Sequence, residues 1–135
     1  MGELKKLKEV VLIDDCEADN FLHSLVIEGT GLVEKVTVFD WAIDALEYFK
    51  SPTPPEVDLI FLDINMPRMD GFQFLEEFKK LEFLPKPFVL IMLTTSILEG
   101  DKQKFQELGG KEYLGKPLTE ETFLDIVAKL QSDQA

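Results

Sequence analysis

The sequence predicts a doubly wound α/β fold, a parallel sheet with helices packed on both faces. Three observations point there. Strand-length apolar runs alternate with helix-period patterns along the whole chain, about five βα units in all. The run Val57, Leu59, Ile60, Phe61, Leu62 reads as a buried strand. Polar residues that carry chemistry stand where such strands end: Asp14-Asp15, Asp63, Thr94-Thr95-Ser96 and Lys116-Pro117. In open α/β sheets those ends line the crevice that binds ligands.

The elements follow in order. Residues 10–13 form a first strand. Residues 17–28 carry Phe21, Leu22, Leu25 and Val26 at helical spacing, and Gly29 and Gly31 stop the helix. A short second strand covers 36–39. Asp40 is positioned to cap a helix that buries Ala42, Ala45, Leu46 and Phe49. Ser51-Pro52-Thr53-Pro54-Pro55 breaks that helix, and 59–62 is the third strand. A third helix runs from about 71 to 80, with Phe74, Leu75, Phe78 and Leu81 as its buried stripe. Leu84-Pro85-Lys86-Pro87 breaks the chain before a fourth strand over 88–93. A fourth helix over 98–108 ends at Gly109-Gly110, and 112–114 is a short fifth strand. Thr119 can cap a last helix reaching about residue 130, without a full capping box because Thr122 stands at the third position.

The 135 residues make one domain, 1–135, with nothing left over for an output domain. No apolar stretch is long enough to span a bilayer. The basic start, Met1-Gly2-Glu3-Leu4-Lys5-Lys6-Leu7-Lys8, lacks the apolar core and cleavage site of a secretion signal. A single cysteine, Cys16, can form no internal disulfide, which fits the cytoplasm. A net charge of −12 argues against direct nucleic-acid binding or an anionic membrane surface. It suits divalent cations and basic partner surfaces.

Asp14, Asp15, Asp63, Thr94 and Lys116 share one sheet edge in this fold. Carboxylates a few ångströms apart repel and raise one another's pKa, and a bound divalent cation removes the conflict. Hard oxygen ligands with retained waters suit Mg²⁺. Lys116 adds positive charge for an anionic ligand and Thr94 adds a hydroxyl donor. A metal, a lysine, a hydroxyl and a free carboxylate make a site for phosphoryl transfer, with the carboxylate as nucleophile.

Ile13-Asp14-Asp15, Leu62-Asp63-Ile64-Asn65-Met66-Pro67, Met69-Asp70-Gly71, Leu93-Thr94-Thr95-Ser96 and Tyr113-Leu114-Gly115-Lys116-Pro117 together resemble the receiver domain of two-component response regulators. The resemblance covers nearly the whole chain, in order and spacing, and is to the stand-alone, single-domain type. It implies a three-layer, flavodoxin-like (βα)5 fold with strand order 2-1-3-4-5. It implies that Asp63 accepts a phosphoryl group. Asp15 and Asp63 would bind Mg²⁺ directly, with the backbone carbonyl of Asn65, and Asp14 would act through metal-bound water. Lys116 would pair with the phosphoryl group, Thr94 would hydrogen-bond it, and Tyr113 would be the switch aromatic. The Lys116-Pro117 bond would be cis. The implied partners are a sensor histidine kinase or histidine phosphotransfer protein and a downstream protein target. The face formed by the fourth helix, fifth strand and fifth helix would bind that target or a second copy, the sequence leaving monomer or dimer open. Gly109-Gly110-Lys111 departs from the family's more usual Gly-Ala-Asp/Asn.

Plainer readings exist for single residues. Asp14 or Asp15 could be only a helix cap, Thr94 only a strand former, and Lys116 only a surface lysine. Asp70-Gly71 reads as a turn. His23 reads as an ordinary helix residue, Cys16 as small packing, and Trp41 and the phenylalanines as core. Asp19 adds negative charge near the acidic pair. Two other functions compete with a phosphorylation-controlled binding module that is not a turnover enzyme: a phosphorelay intermediate and an aspartyl-phosphate hydrolase. The hydrolase needs a general acid two residues after the nucleophile, where this chain has Asn65. A nucleotide or flavin binder lacks its glycine-rich motif here. Asn65 and Ser96 would flank the water that removes the phosphoryl group.

Overall fold

The computed structural model describes residues 5–51, 55–64, 70–81, 88–95 and 98–133. The expected proline-rich breaks at 52–54 and 82–87, residues 65–69 with Asn65, and residues 96–97 with Ser96 lie outside them.

Five strands and five helices alternate: β1 (Leu7–Ile13), α1 (Glu17–Gly29), β2 (Val33–Phe39), α2 (Ala42–Phe49), β3 (Leu59–Leu62), α3 (Gly71–Phe78), β4 (Val89–Thr94), α4 (Glu99–Glu107), β5 (Glu112–Gly115) and α5 (Glu120–Asp133). All neighbouring strands pair parallel, in the order β2-β1-β3-β4-β5. The expected three-layer (βα)5 architecture is therefore the one found.

Strand side chains alternate between two cores. Val11, Ile13, Ile60, Leu62, Leu90 and Met92 meet α2, α3 and α4 through Ala45, Leu46, Phe49, Phe74, Phe78 and Phe105. Val10, Leu12, Leu59, Phe61, Ile91 and Leu93 meet α1 and α5 through Ile27, Phe123, Ile126, Val127 and Leu130. Burial on both faces is why β1, β3 and β4 read as continuous apolar runs. Edge strand β2 reads as half-polar for the opposite reason, since its outer side meets water.

Several expectations need correction. The apolar stripe on α1 does not face the core: Phe21 is 68% exposed, and Leu22 and Leu25 are also exposed, with only Val26 partly buried. The inward positions are Asn20, His23 and Ile27. Asn20 occupies this face because its amide bonds the loop above, Nδ2 donating to Asp14 O at 2.7 Å. Asp40 does not cap α2. Trp41 holds the cap position without a side-chain bond, and the Asp40 carboxylate instead accepts from Asn20 Nδ2 at 3.2 Å. Trp41 is 40% exposed rather than core, and Cys16 is exposed rather than packed. Asp70 is more than a turn residue, because it and Gln73 form a reciprocal capping box at the start of α3. Thr119 caps α5 as expected, its hydroxyl accepting from the Thr122 amide at 3.1 Å. The Lys116-Pro117 peptide is cis.

Candidate functional site

Strand register builds the site. Ile13 is paired with Leu62, and Leu62 with Met92. Asp14 and Asp63 thus leave adjacent strands at the same height. Their backbones are fixed there: Asp63 N–H donates to Ile13 O at 2.9 Å, and Asp14 N–H donates to Phe39 O at 3.1 Å. Thr94 is paired with Gly115 at the end of β4, and Lys116 N–H donates to Thr94 O at 2.8 Å. One sheet edge therefore presents residues from four chain segments.

Glycine is required just beyond β3. A Cβ at Gly71 would lie 2.8 Å from Ile64 Cα and 3.0 Å from Asp63 O. The start of α3 comes this close to the strand end, and the Gly71 amide donates to Ile64 O at 2.9 Å.

Carboxylate oxygens of Asp14, Asp15 and Asp63 all lie within 4.8 Å of one another. Asp14 and Asp63 are buried, whereas Asp15 is exposed at the rim. Lys116 Nζ reaches down among them, 2.6 Å from Asp14 Oδ2, 2.8 Å from Asp19 Oδ2 and 3.1 Å from Asp63 Oδ2. The Lys116 side chain is only 9% exposed. Burial alone would lower its pKa, but the hydrogen bonds it donates to Asp14 and Asp19 outweigh that and raise it. It is therefore held as ammonium. Burial pushes Asp14 up, opposed by the Lys116 contact and by the Cys16 amide, which donates to Asp14 Oδ1 at 3.0 Å. The bond from Lys116 holds Asp19 below the usual carboxylate range.

These residues are the ones singled out from the sequence, and the fold brings Asp14, Asp15, Asp63 and Lys116 into one cluster. Thr94 is buried at the adjoining strand end. Tyr113 is paired with Met92, lower on the sheet; it is half-buried, with Lys102 Nζ 4.5 Å from its ring centroid. Three residues were undervalued. Asp19 is a direct partner of Lys116, not merely a nearby charge. Asn20 Nδ2 donates to Asp14 O at 2.7 Å and so braces the loop. His23 is 1% exposed beneath it. The available clue was position: Asp19, Asn20 and His23 lie within two turns of the acidic pair on α1.

The donor set suits a hard divalent cation: three carboxylates, two of them buried and one exposed. No helix among the described residues is long and apolar enough to cross a membrane.

Residues 10–128 match the response regulator receiver domain. The chain belongs to this family. Over 128 residues it is 34% identical to the aerobic respiration control sensor protein ArcB of Escherichia coli, spanning 93% of this chain and 15% of that protein. Over 102 residues it is 32% identical to the transcriptional activator protein IrlR of Burkholderia pseudomallei, spanning 76% of this chain and 42% of that one. The chain thus spans less than half the length of either relative. A two-component response regulator from Cytophaga hutchinsonii superposes with a TM-score of 0.80 at 27% identity, covering 95% of this chain and 99% of that one. The chain is a receiver domain of two-component systems, a signalling domain.

Proposed function

We propose that Asp63 accepts a phosphoryl group from the phosphohistidine of a sensor histidine kinase or histidine phosphotransfer protein, and that the acyl phosphate switches a partner-binding face. One observation carries this reading. Asp63 lies in a trio of carboxylates within 4.8 Å, with the Lys116 ammonium 3.1 Å away. An Asp63 oxygen attacks phosphorus, forming the O–P bond as the N–P bond to the donor histidine breaks. The imidazole leaves with the bonding pair and takes up a proton. Mg²⁺ fits the donor set and, when bound, neutralises charge on the transferring group. Asp15, Asp63 and the Asn65 carbonyl would hold it, with Asp14 acting through a metal-bound water.

Lys116 already shares its charge among three carboxylates and would follow the new charge onto the phosphoryl oxygens. The Thr94 hydroxyl would donate to the same group, and Tyr113 would turn inward as Thr94 moves. The phosphate then biases an existing two-state element rather than building a new one. The face formed by α4, β5 and α5 would bind a downstream target or a second copy of the chain. Onward transfer to another histidine, as in a phosphorelay, would use the same residues. Both directions belong to the cytoplasm, where such donors phosphorylate.

Intact mass after incubation with acetyl phosphate tests the reading. The expected result is one added phosphoryl group that requires Mg²⁺ and is lost in Asp63→Asn. Wild-type uptake by Asp63→Asn would overturn it.

A further inference from the structure

A small cavity of about 10 Å³ lies behind the acidic cluster, lined by Leu12, Ile13, Asp14, Asn20, His23, Phe61, Asp63 and Leu93. That is about the space one water molecule requires. Two buried side-chain atoms meet no hydrogen-bonding partner among the described residues, Asn20 Oδ1 and His23 Nε2. Both belong to residues that line this cavity. Asn20 is 4% exposed and His23 1%.

The Asn20 orientation is not arbitrary. Its Nδ2 donates to Asp14 O at 2.7 Å and to Asp40 Oδ1 at 3.2 Å. Both of those partners can only accept, so the amide cannot be flipped, and Oδ1 is left needing a donor. Leaving a buried acceptor unsatisfied costs its full desolvation penalty, and a second orphan on His23 adds to that. A polar cavity of one-water size beside two orphans is the situation in which ordered internal water is found.

We propose that this cavity is a single-water site that ties α1 to the Asp14–Asp63 pair, with His23 as its N–H donor. Proton counting fixes the arrangement. The water gives one O–H to Asn20 Oδ1 and the other to a carboxylate oxygen of the Asp14–Asp63 pair. Both of its hydrogens are then used, so it must accept from His23, which therefore carries its proton on Nε2. Burial lowers the His23 pKa, in keeping with a neutral ring. Asn20 and His23 are then positioning residues: they act on the carboxylates through the water and touch no reacting atom.

The test uses metal-free, unphosphorylated protein, so its outcome is independent of whether Asp63 accepts phosphate. A high-resolution crystal structure should show one water within hydrogen-bond distance of Asn20 Oδ1 and His23 Nε2. Nitrogen-15 NMR should show a pyrrole-type Nε2 and a pyridine-type Nδ1 in His23. In His23→Phe the water should be lost. His23→Gln, which restores an N–H near the Nε2 position, should regain it. A dry cavity, a water that bonds neither side chain, or a proton on Nδ1 alone would overturn the proposal.

Discussion

Replacing Lys116 by Met keeps most of the buried aliphatic stem and removes the charge. Asp14 and Asp63 are then left together with side chains only 7% and 9% exposed. Their oxygens lie within 4.8 Å, so at an effective dielectric constant of about 20 the two charges repel by roughly 3.5 kcal/mol. Removing one partner of a buried pair costs about 3–5 kcal/mol, and entry of water at the rim holds the loss to the lower end. We expect Lys116→Met to be destabilised by about 3 kcal/mol near neutral pH in EDTA, read from urea unfolding. The pH dependence separates this cause from lost packing. In the wild type the raised Lys116 pKa gives stability that is fully present below its ordinary value of 10.5 and lost as pH rises through the folded value. That group therefore adds no slope between pH about 5 and 8. In the variant Asp14 loses the Lys116 contact that opposes its raised pKa, while burial and the neighbouring Asp63 charge still push it up, so the folded state binds more protons than the unfolded chain. Its stability should recover as pH falls through that raised value. Asp14's own raised pKa gives the wild type a shallower slope of the same sign. A loss below about 1 kcal/mol, or a gap that does not narrow toward pH about 5, would refute the electrostatic account.

Two further perturbations test how the frame holds this site. At Gly110 an added methyl would lie 2.5 Å from Phe105 Cζ and closer still to two other ring atoms, in a ring that is fully buried. Gly110→Ala, the family's more usual residue, should cost about 1–2 kcal/mol after its unfolded-state gain, and under half of that in a Phe105→Leu background. Asp70→Ala removes the cap that accepts from the Gln73 amide at 2.9 Å, and should cost about 1 kcal/mol in urea unfolding, with hydrogen exchange accelerated first in α3.

Element order was readable because strands buried on both faces leave continuous apolar runs. The third strand is found at 59–62, as predicted. β1 and β2 each begin three residues earlier than their apolar signatures, at Leu7 and Val33. Their first residues alternate with Glu and Lys, and only pairing with a neighbour makes them strand: Leu7 with Val33, Glu9 with Lys35. The α1 stripe failed for a related reason. Periodicity finds an apolar face but cannot say which face turns inward when polar residues have bonds to make there. Phe105 shows the converse. It is the one buried residue of α4, so a helix with a weak apolar pattern is anchored by a single ring whose space Gly110 leaves open.

The site was legible at the level of the sheet edge and illegible at the level of its partners. In a parallel sheet the residue after each strand emerges on the same side, so Asp14, Asp63 and Lys116 could be brought together from strand ends alone. Which carboxylate the lysine prefers depends on side-chain reach and on α1, neither of which spacing reveals. Lys116 lies nearer to Asp14 and Asp19 than to Asp63. That distribution has a mechanical consequence for the proposed switch. A lysine shared among three carboxylates is attracted to new charge on Asp63 only by the difference between the phosphoryl group and the partners it leaves. Asp19 is the partner most open to water, with its side chain 33% exposed, so it is the contact that costs least to release.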